Sequence, residues 1–289
     1  MNTKFEEWIP ITIPFNTSIS NAVLQQHHAA QLLALVGHYL IPQKPDDSNT
    51  NMEFIFDDYL LLGNTLPNGF RLSLNLKNLR VSIVNKEGSA IKDISLDSKT
   101  KEEVFDELKQ SLFELGIEVS NLKNDLHYEI SAHQLDKGDV FNAKDKDSFI
   151  ENIKYRHNAK LVLNKIGELF ESDEEIRIWP HHFDTGVFYV ISENEKREAT
   201  QTIGIGMSIP DGMVDEPYYY LSFWSESPLE NIEKQSSLEV GDWKMPDWNG
   251  AVLKYSEIIK QDTAEEQHML VKSFFTKGIS IILNETKNN

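Results

Sequence analysis

The hydrophobic pattern of this chain changes period along its length, which restricts the fold to one that combines helices with sheets. Apolar residues at three-and-four spacing predict helices over about residues 21–41 and 100–116, and two more that begin at Ser148 and Thr263. The last three are each preceded by Ser or Thr with Glu three residues later, which is the capping-box pattern of a helix start.

The segments between these helices alternate polar and apolar residues, as strands with one buried face do. "FIFDDYLLL" is predicted to be a single strand, and "RLSLNL" with "LRVSIV" either a hairpin or one bulged strand. Four more strands are predicted in the second half, at "IRIW", "GVFYVI", "TIGIGMSI" and "YYYLSFW". The "IPDGM" between the last two has the proline and Asp-Gly of a tight turn.

A polar segment at residues 120–147 separates two parts with the same order of elements. We therefore predict an α+β protein of two packed halves, residues 1–145 and 146–289, each a small, mainly antiparallel sheet backed by helices. The shared order suggests an internal duplication. The second half carries the candidate site.

Charge and composition limit the partners and the chemistry. The net charge of −18 repels the phosphates of nucleic acids and anionic membranes, and lysines are interleaved with acids, so neither is expected as a partner. The chain has no cysteine, which excludes disulfides, thiolate zinc sites and cysteine nucleophiles. No secretory signal pattern and no apolar run of about 20 residues occurs, so a cytoplasmic location is predicted.

The best candidate site is the stretch "IRIWPHHFDTGVFYVI". If residues 179–184 are extended, His182 and Asp184 share one face, and Trp179 and His181 share the other. An imidazole and a carboxylate on one face can hold a metal or act as an acid–base pair. The structural alternative is that Pro180 breaks the strand and the polar side chains bond nearby backbone groups.

The loop "PDGMVDEPYYY" supplies acids and tyrosines that strand pairing could bring near this stretch. Alternation places Tyr218 and Tyr220 on one face, where they pack in a core or line a pocket. The predicted ligand-binding residues are Trp179, His181, His182, Asp184, Asp211, Glu216, Tyr218 and Tyr220. His182 and Asp184 are the metal ligands in the alternative hypothesis, and the sequence does not identify a cofactor.

The first predicted helix contains His27, His28 and His38. A helix rises about 1.5 Å per residue, so His27 and His38 lie roughly 16 Å apart and cannot share a metal. We expect each of them to be a hydrogen-bonded, partly buried imidazole. The alternative is that one of the three faces a pocket from the other half.

Two groups of motifs resemble a family of uncharacterised bacterial proteins. The N-terminal half contains "QQHHAAQLLALVGHYL", "GFRLSLNLKNLRVSIVN" and a predicted helix that ends at "LGIEV". The back carries "IWPHHFDTG" and "GIGMSIPDGMVDEPYYYLSFW", similar to a Trp-Pro-x-His-Phe-Asp … Glu-Pro-Tyr-x-Tyr pattern. The chain departs from that pattern at His181, which is often acidic in the family. The resemblance implies the architecture and the choice of site, and no reaction.

No nucleotide-binding glycine loop, zinc-protease helix or serine-hydrolase elbow is present in the sequence. We therefore predict a protein that binds a small molecule or a protein partner. The alternative is a metal-assisted hydrolase or lyase that uses His181 or His182 with Asp184 as ligands and Glu216 as general base. A third hypothesis is an acidic surface that meets a basic partner.

Overall fold

The computed structural model describes residues 7–170, 172–227 and 237–288, which contain five α-helices and eleven β-strands. These residues divide into two compact units. The first unit comprises residues 7–15, 154–170, 172–176, 184–227 and 237–288, and the second comprises 16–153 and 177–183. The predicted mixture of helices with antiparallel strands is confirmed. The boundary after residue 145 and the internal duplication stay predictions.

The second unit contains helices α1 (Thr17–Leu40) and α2 (Lys101–Glu114), and the start of α3 (Lys146–Gly167). Its strands form an antiparallel sheet in the order β6-β1-β2-β3-β4-β5. They are β1 (Met52–Ile55), β2 (Leu60–Gly63), β3 (Arg71–Asn75), β4 (Arg80–Val84), β5 (Ala90–Ser95) and β6 (Arg177–Trp179).

The first unit contains the rest of α3, the short helix α4 (Tyr255–Ile258) and the long helix α5 (Ala264–Asn288). Its antiparallel sheet has the order β10-β11-β9-β8-β7. The strands are β7 (Asp184–Glu193), β8 (Ala199–Ser208), β9 (Tyr218–Ser225), β10 (Asp242–Trp243) and β11 (Gly250–Lys254).

Side chains of α3 and α5 bond the described part of the N-terminal segment within the first unit, Asn158 at Ile9 and Gln267 on either side of it. Gln267 is buried, and its Oε1 accepts hydrogen bonds from the Trp8 indole at 3.1 Å and from the Ile11 amide at 2.8 Å. Its Nε2 donates back to the Ile11 carbonyl at 2.8 Å. Each polar atom of the Gln267 amide is thereby satisfied, so this buried polar side chain links two segments that are far apart in sequence.

Two of the three predicted capping boxes are confirmed. The Thr100 and Thr263 hydroxyls accept the amides of Glu103 and Glu266, and each glutamate accepts the threonine amide in return. The third is wrong, because α3 begins two residues before Ser148. Asp145 accepts both the amide and the hydroxyl of Ser148, so an aspartate upstream takes the capping role.

The predicted single strand "FIFDDYLLL" is also wrong, because it forms two strands. β1 and β2 pair antiparallel across a turn in which Tyr59 has φ 58° and donates its amide to the Phe56 carbonyl. The hairpin of β3 and β4 is confirmed. None of the helices in the described ranges combines the length and the apolar composition that crossing a bilayer requires.

Candidate functional site

The residues between β6 and β7 form a turn, so the extended conformation on which the alternation argument depended is wrong. Phe183 donates its amide to the Trp179 carbonyl at 2.7 Å and adopts φ 52°, in the left-handed region. Pro180 lacks an amide hydrogen and cannot continue a strand ladder, which favours the turn. Strand alternation therefore does not place His182 and Asp184 on a common face.

In the second unit the turn presents three of the predicted residues as one aromatic group. The His181 ring lies 4.5 Å from the His182 ring and 6.3 Å from the Trp179 ring, measured between centroids. Tyr128 approaches His181 edge-on at 5.8 Å, and its hydroxyl donates to Gln31 Oε1 at 2.9 Å. His182 is exposed, whereas Trp179 and His181 are half-buried.

The backbone of this turn is held by α1. Gln31 Nε2 donates to the Pro180 carbonyl at 3.0 Å, and His27 Nε2 lies 2.8 Å from the same oxygen. The His27 ring also stacks on Phe183, with centroids 4.9 Å apart and nearly parallel planes. The predicted role of His27 as a buried, hydrogen-bonded imidazole is confirmed.

In the first unit Asp184 belongs to a buried polar cluster with Arg156, Thr185 and Tyr220. The Tyr220 hydroxyl donates to Asp184 Oδ2 at 2.5 Å, and Arg156 Nη1 donates to Thr185 Oγ1 at 2.9 Å. Burial lowers the pKa of Arg156 to about 9, and the charges of Asp184 and Tyr255 oppose that shift. Burial, then the charge of Asp184 and the hydrogen bond to it, raise the pKa of Tyr220, so its phenol remains a donor.

Asp211 and Tyr218 form a second pair at the start of β9. Asp211 Oδ1 accepts the amides of Met213 and Val214, at 2.8 and 3.0 Å, which closes the predicted turn. The Tyr218 hydroxyl donates to Asp211 Oδ2 at 2.6 Å. Burial and the bond to Asp211 raise the pKa of Tyr218. The structure therefore gives Asp211 a clear local role in holding the turn.

Glu216 lines a cavity of about 310 Å³ in the first unit, and Asp184, Asp211, Tyr218 and Tyr220 are not among the described residues of its wall. Its Oε2 and Oε1 accept the Ser256 amide at 2.7 Å and the Ser256 hydroxyl at 2.8 Å, at the start of α4. Two acceptor positions of the carboxylate remain for another donor. The cavity wall is made of Ile11, Ile13, Pro14, Phe15, Tyr155, Asp215, Glu216, Tyr255, Ser256 and Ile259.

The tyrosines of this wall were not predicted as site residues. Tyr155 and Tyr255 are buried, and their ring centroids lie 4.3 Å apart. Burial, with the neighbouring Tyr219 and Tyr155, raises the pKa of Tyr255, so its phenol stays neutral. The one signal in the sequence was the placement of Tyr155 on an otherwise apolar helix face, and that pattern is equally typical of a core residue.

Comparison of the chain with family models, with curated proteins and with solved structures gives no match. The resemblance to a family of uncharacterised bacterial proteins therefore stays a prediction.

Proposed function

We propose that this protein binds a small organic cation with an apolar body, in the cavity lined by Glu216. The observation that carries the proposal is that one concave site combines two carboxylates, two tyrosine rings and an apolar wall. Small-molecule sites have this composition, with mostly apolar linings and a few polar groups that fix the orientation of the ligand.

The size of the cavity supports a small ligand. Its volume of about 310 Å³ lies at the lower end of the range that is typical of ligand pockets, which begins near 300 Å³. Ile11 is buried in the wall, whereas Ile13 is 41% exposed. Covering the exposed part of Ile13 with the apolar part of a ligand would be favourable, because that surface now contacts water.

The charge of the wall supports a cation. Asp215 is exposed and Glu216 is half-buried, and both side chains contribute negative charge to the cavity. Aromatic rings attract cations through their negative faces, so the three aromatic residues of the lining, Phe15, Tyr155 and Tyr255, favour the same sign of ligand as the carboxylates. Among the residues that the structure describes, none of those lining the cavity is a lysine, arginine or histidine that would compensate the acids. A small molecule rather than nucleic acid is the expected partner, since the net charge of −18 repels phosphates.

The test is calorimetric titration with phenethylammonium, which joins an aromatic ring to an ammonium group. We expect it to bind and 3-phenylpropionate, of similar shape and opposite charge, not to bind. Glu216→Gln should weaken phenethylammonium binding at least tenfold, because a charge-assisted hydrogen bond contributes about 1.5–3 kcal/mol. Glutamine keeps an acceptor for Ser256, so the start of α4 is retained.

Asp215→Asn separates the effect of charge from that of structure, because Asp215 is exposed. It should weaken binding about threefold, as expected for a solvated charge. The matched control is Asp242→Asn, an exposed aspartate outside the cavity wall, which should leave the affinity unchanged. Equal affinity for the cation and the anion, or equal effects of the two asparagine variants, would refute the proposal.

The metal-assisted hydrolase or lyase built on His181, His182, Asp184 and Glu216 stays a prediction. It requires metal binding, measured by titration with Zn²⁺, that is lost in His181→Ala or in His182→Ala.

A further inference from the structure

Two histidines and an aspartate from three separate segments meet in the second unit. His38 lies in the last turn of α1, Asp47 in the loop that follows, and His127 in the loop after α2. One ligand atom from each lies within 4.8 Å of the other two. His127 Nε2 is 3.2 Å from Asp47 Oδ2. We call these three residues the histidine–aspartate triad.

From this geometry we propose that the histidine–aspartate triad binds a divalent transition metal of the zinc type. Imidazole and carboxylate are zinc ligands, with bonds of about 2.0–2.2 Å. Tetrahedral bonds of that length place neighbouring ligand atoms about 3.3 Å apart, close to the separation of His127 and Asp47. Three protein ligands would leave a fourth position for water or another small ligand.

One ring nitrogen of the triad has no protein partner in the part of the chain that the structure describes. His38 Nδ1 is shielded from solvent and makes no hydrogen bond there. A buried polar atom without a partner costs free energy, of the order of 1–3 kcal/mol, and native proteins rarely leave one so. The environment of the His38 ring is therefore incomplete without a further group.

The local structure brings the Asp47 loop against the helix that carries His38. A Cβ on Gly37 would lie 2.4 Å from the Asn49 carbonyl oxygen, so only glycine permits this approach. Asn49 Nδ2 donates to the Gly37 carbonyl at 3.1 Å, and the Thr50 hydroxyl donates to the Asp47 carbonyl at 2.8 Å. These bonds position the loop on α1.

The charge distribution around the triad favours a cation. The carbonyl end of a long helix carries a negative partial charge, and His38 lies in the last turn of the 24-residue α1. Asp125 is close by, because its carboxylate accepts the hydroxyl of Tyr39 at 2.7 Å, and the Tyr39 ring packs edge-on against His38. The rings of His38 and His127 already stack at 5.0 Å.

The triad was missed in the sequence because its members are separated by loops without a metal-binding spacing. His38 and His127 are 89 positions apart in the numbering, and Asp47 lies in a proline-containing polar loop. His27 and His38 are too far apart on the helix to share a metal, but that distance permits a site formed by His38 and residues outside the helix.

The experiment is titration of the metal-free protein with Zn²⁺, and separately with Co²⁺ to record the absorption bands of its d electrons. We expect one Zn²⁺ per chain, an absorption typical of a low-coordinate cobalt site, and no binding of Mg²⁺, which prefers oxygen ligands. His127→Ala should weaken Zn²⁺ binding at least tenfold. His127 is 49% exposed, so the substitution should leave the fold intact.

Asp47→Asn is the most informative variant. Asp47 has φ 60°, a conformation that asparagine also tolerates, so the variant removes the charge and keeps the backbone. It should weaken Zn²⁺ binding at least tenfold without altering the thermal unfolding of the metal-free protein. The control is Asp139→Asn, an exposed aspartate of the second unit outside the triad, which should bind Zn²⁺ as the parent protein does. His182→Ala is measured beside it as the test of the competing hydrolase or lyase site.

Three results would overturn the proposal: no Zn²⁺ binding by the parent protein, several weak sites spread over the histidines, or unchanged affinity in both His127→Ala and Asp47→Asn. Loss of binding in His182→Ala alone would instead support the hydrolase or lyase prediction. None of these results depends on phenethylammonium binding, because the cavity is lined by residues of the first unit and the triad by residues of the second.

Discussion

The two units each place an aspartate next to positively charged or polarisable partners, but they do so at different depths. Asp184 in the buried polar cluster is 8% exposed and sits near Arg156, which is fully buried. The side chain of Asp47 in the histidine–aspartate triad is 30% exposed, and that of His127 is 49% exposed. We call the buried cluster around Asp184 a closed network, because it is shielded from solvent, and the solvent-accessible histidine–aspartate triad an open network.

This difference teaches how to separate structural polar groups from ligand-binding ones. In the closed network the charges and donors are supplied by the protein itself, so removal of any member leaves a buried group without compensation. In the open one water and ions can reach the side chains, so removal of a member changes affinity more than stability. Two of the following predictions compare a buried polar group with an exposed one. A third compares the capping boxes of the two units, and a fourth concerns a buried histidine of the second unit.

The largest effect is expected for Arg156→Leu. The substitution removes a fully buried cation and leaves the Asp184 carboxylate buried without it, which should lower the free energy of unfolding by about 3–5 kcal/mol. Urea unfolding measures this loss. The control is Lys165→Ala in the exposed pair with Glu168, which should change stability by less than about 0.5 kcal/mol. Similar small losses for both variants would show that the buried cluster is not a closed network.

The next effect compares two tyrosine hydroxyls that donate to aspartates. Tyr220→Phe removes a donor from buried Asp184 and should cost about 2 kcal/mol, the value for hydrogen bonds to charged groups. Tyr218→Phe removes the donor from Asp211, which is exposed and can be hydrated instead, so its cost should be about 1 kcal/mol or less. The reverse order in urea unfolding would contradict the role given to burial.

A smaller and equal effect is expected for the two capping boxes, one in each unit. Thr100→Ala and Thr263→Ala each remove a hydroxyl that accepts a helix amide, and each should cost about 1 kcal/mol. The serine variants keep the hydroxyl and should remain within a few tenths of the parent stability. If one alanine variant were neutral, its cap would contribute nothing to the unit that contains it.

The smallest effect is a dependence of stability on pH that comes from His28. Burial, then the charge of Lys101 and to a lesser extent His133, lower the pKa of His28. The charge of Asp136 and the hydrogen bond to the Ser131 carbonyl oppose this shift. The unfolded chain therefore binds the proton more readily. The contribution of His28 to the free energy of unfolding is complete above its pKa in the unfolded chain, about 6.5. It is lost as the pH falls through the lower pKa of His28 in the folded protein.

The measurement for this last prediction is urea unfolding at pH 7.5 and pH 5.5. The parent protein should lose more stability on acidification than His28→Gln, in which glutamine can still donate to the Ser131 carbonyl. An identical loss in the two proteins would mean that His28 does not contribute to the pH dependence.

The sequence predicted those elements whose signals are local. The boxes at Thr100 and Thr263 and the hairpin of β3 and β4 depend on residues within a few positions of one another, so periodicity and spacing identified them. β1 and β2 were predicted as one strand because the turn between them depends on a left-handed backbone conformation at Tyr59. Nothing in the local sequence requires that conformation.

The sites were less predictable because their members come from distant segments. The choice of Glu216 as a site residue stays a prediction, although the structure places it in the wall of a cavity. Its neighbours Ile11 and Tyr255 lie at opposite ends of the chain, and such contacts are determined by the tertiary fold. The same is true of the triad, which forms only when Gly37 allows a loop to approach α1.

The bonds of Gln267 to Trp8 and Ile11 have a consequence for biosynthesis. All residues of the second unit have left the ribosome once position 183 has emerged. In the first unit, Trp8 and Ile11 bond to Gln267, which is synthesised more than 250 residues later. The bonds of Trp8 and Ile11 to Gln267 therefore form only after the residues of α5 have been synthesised. On nascent chains of increasing length, burial of the Trp8 indole should report the moment at which α5 arrives.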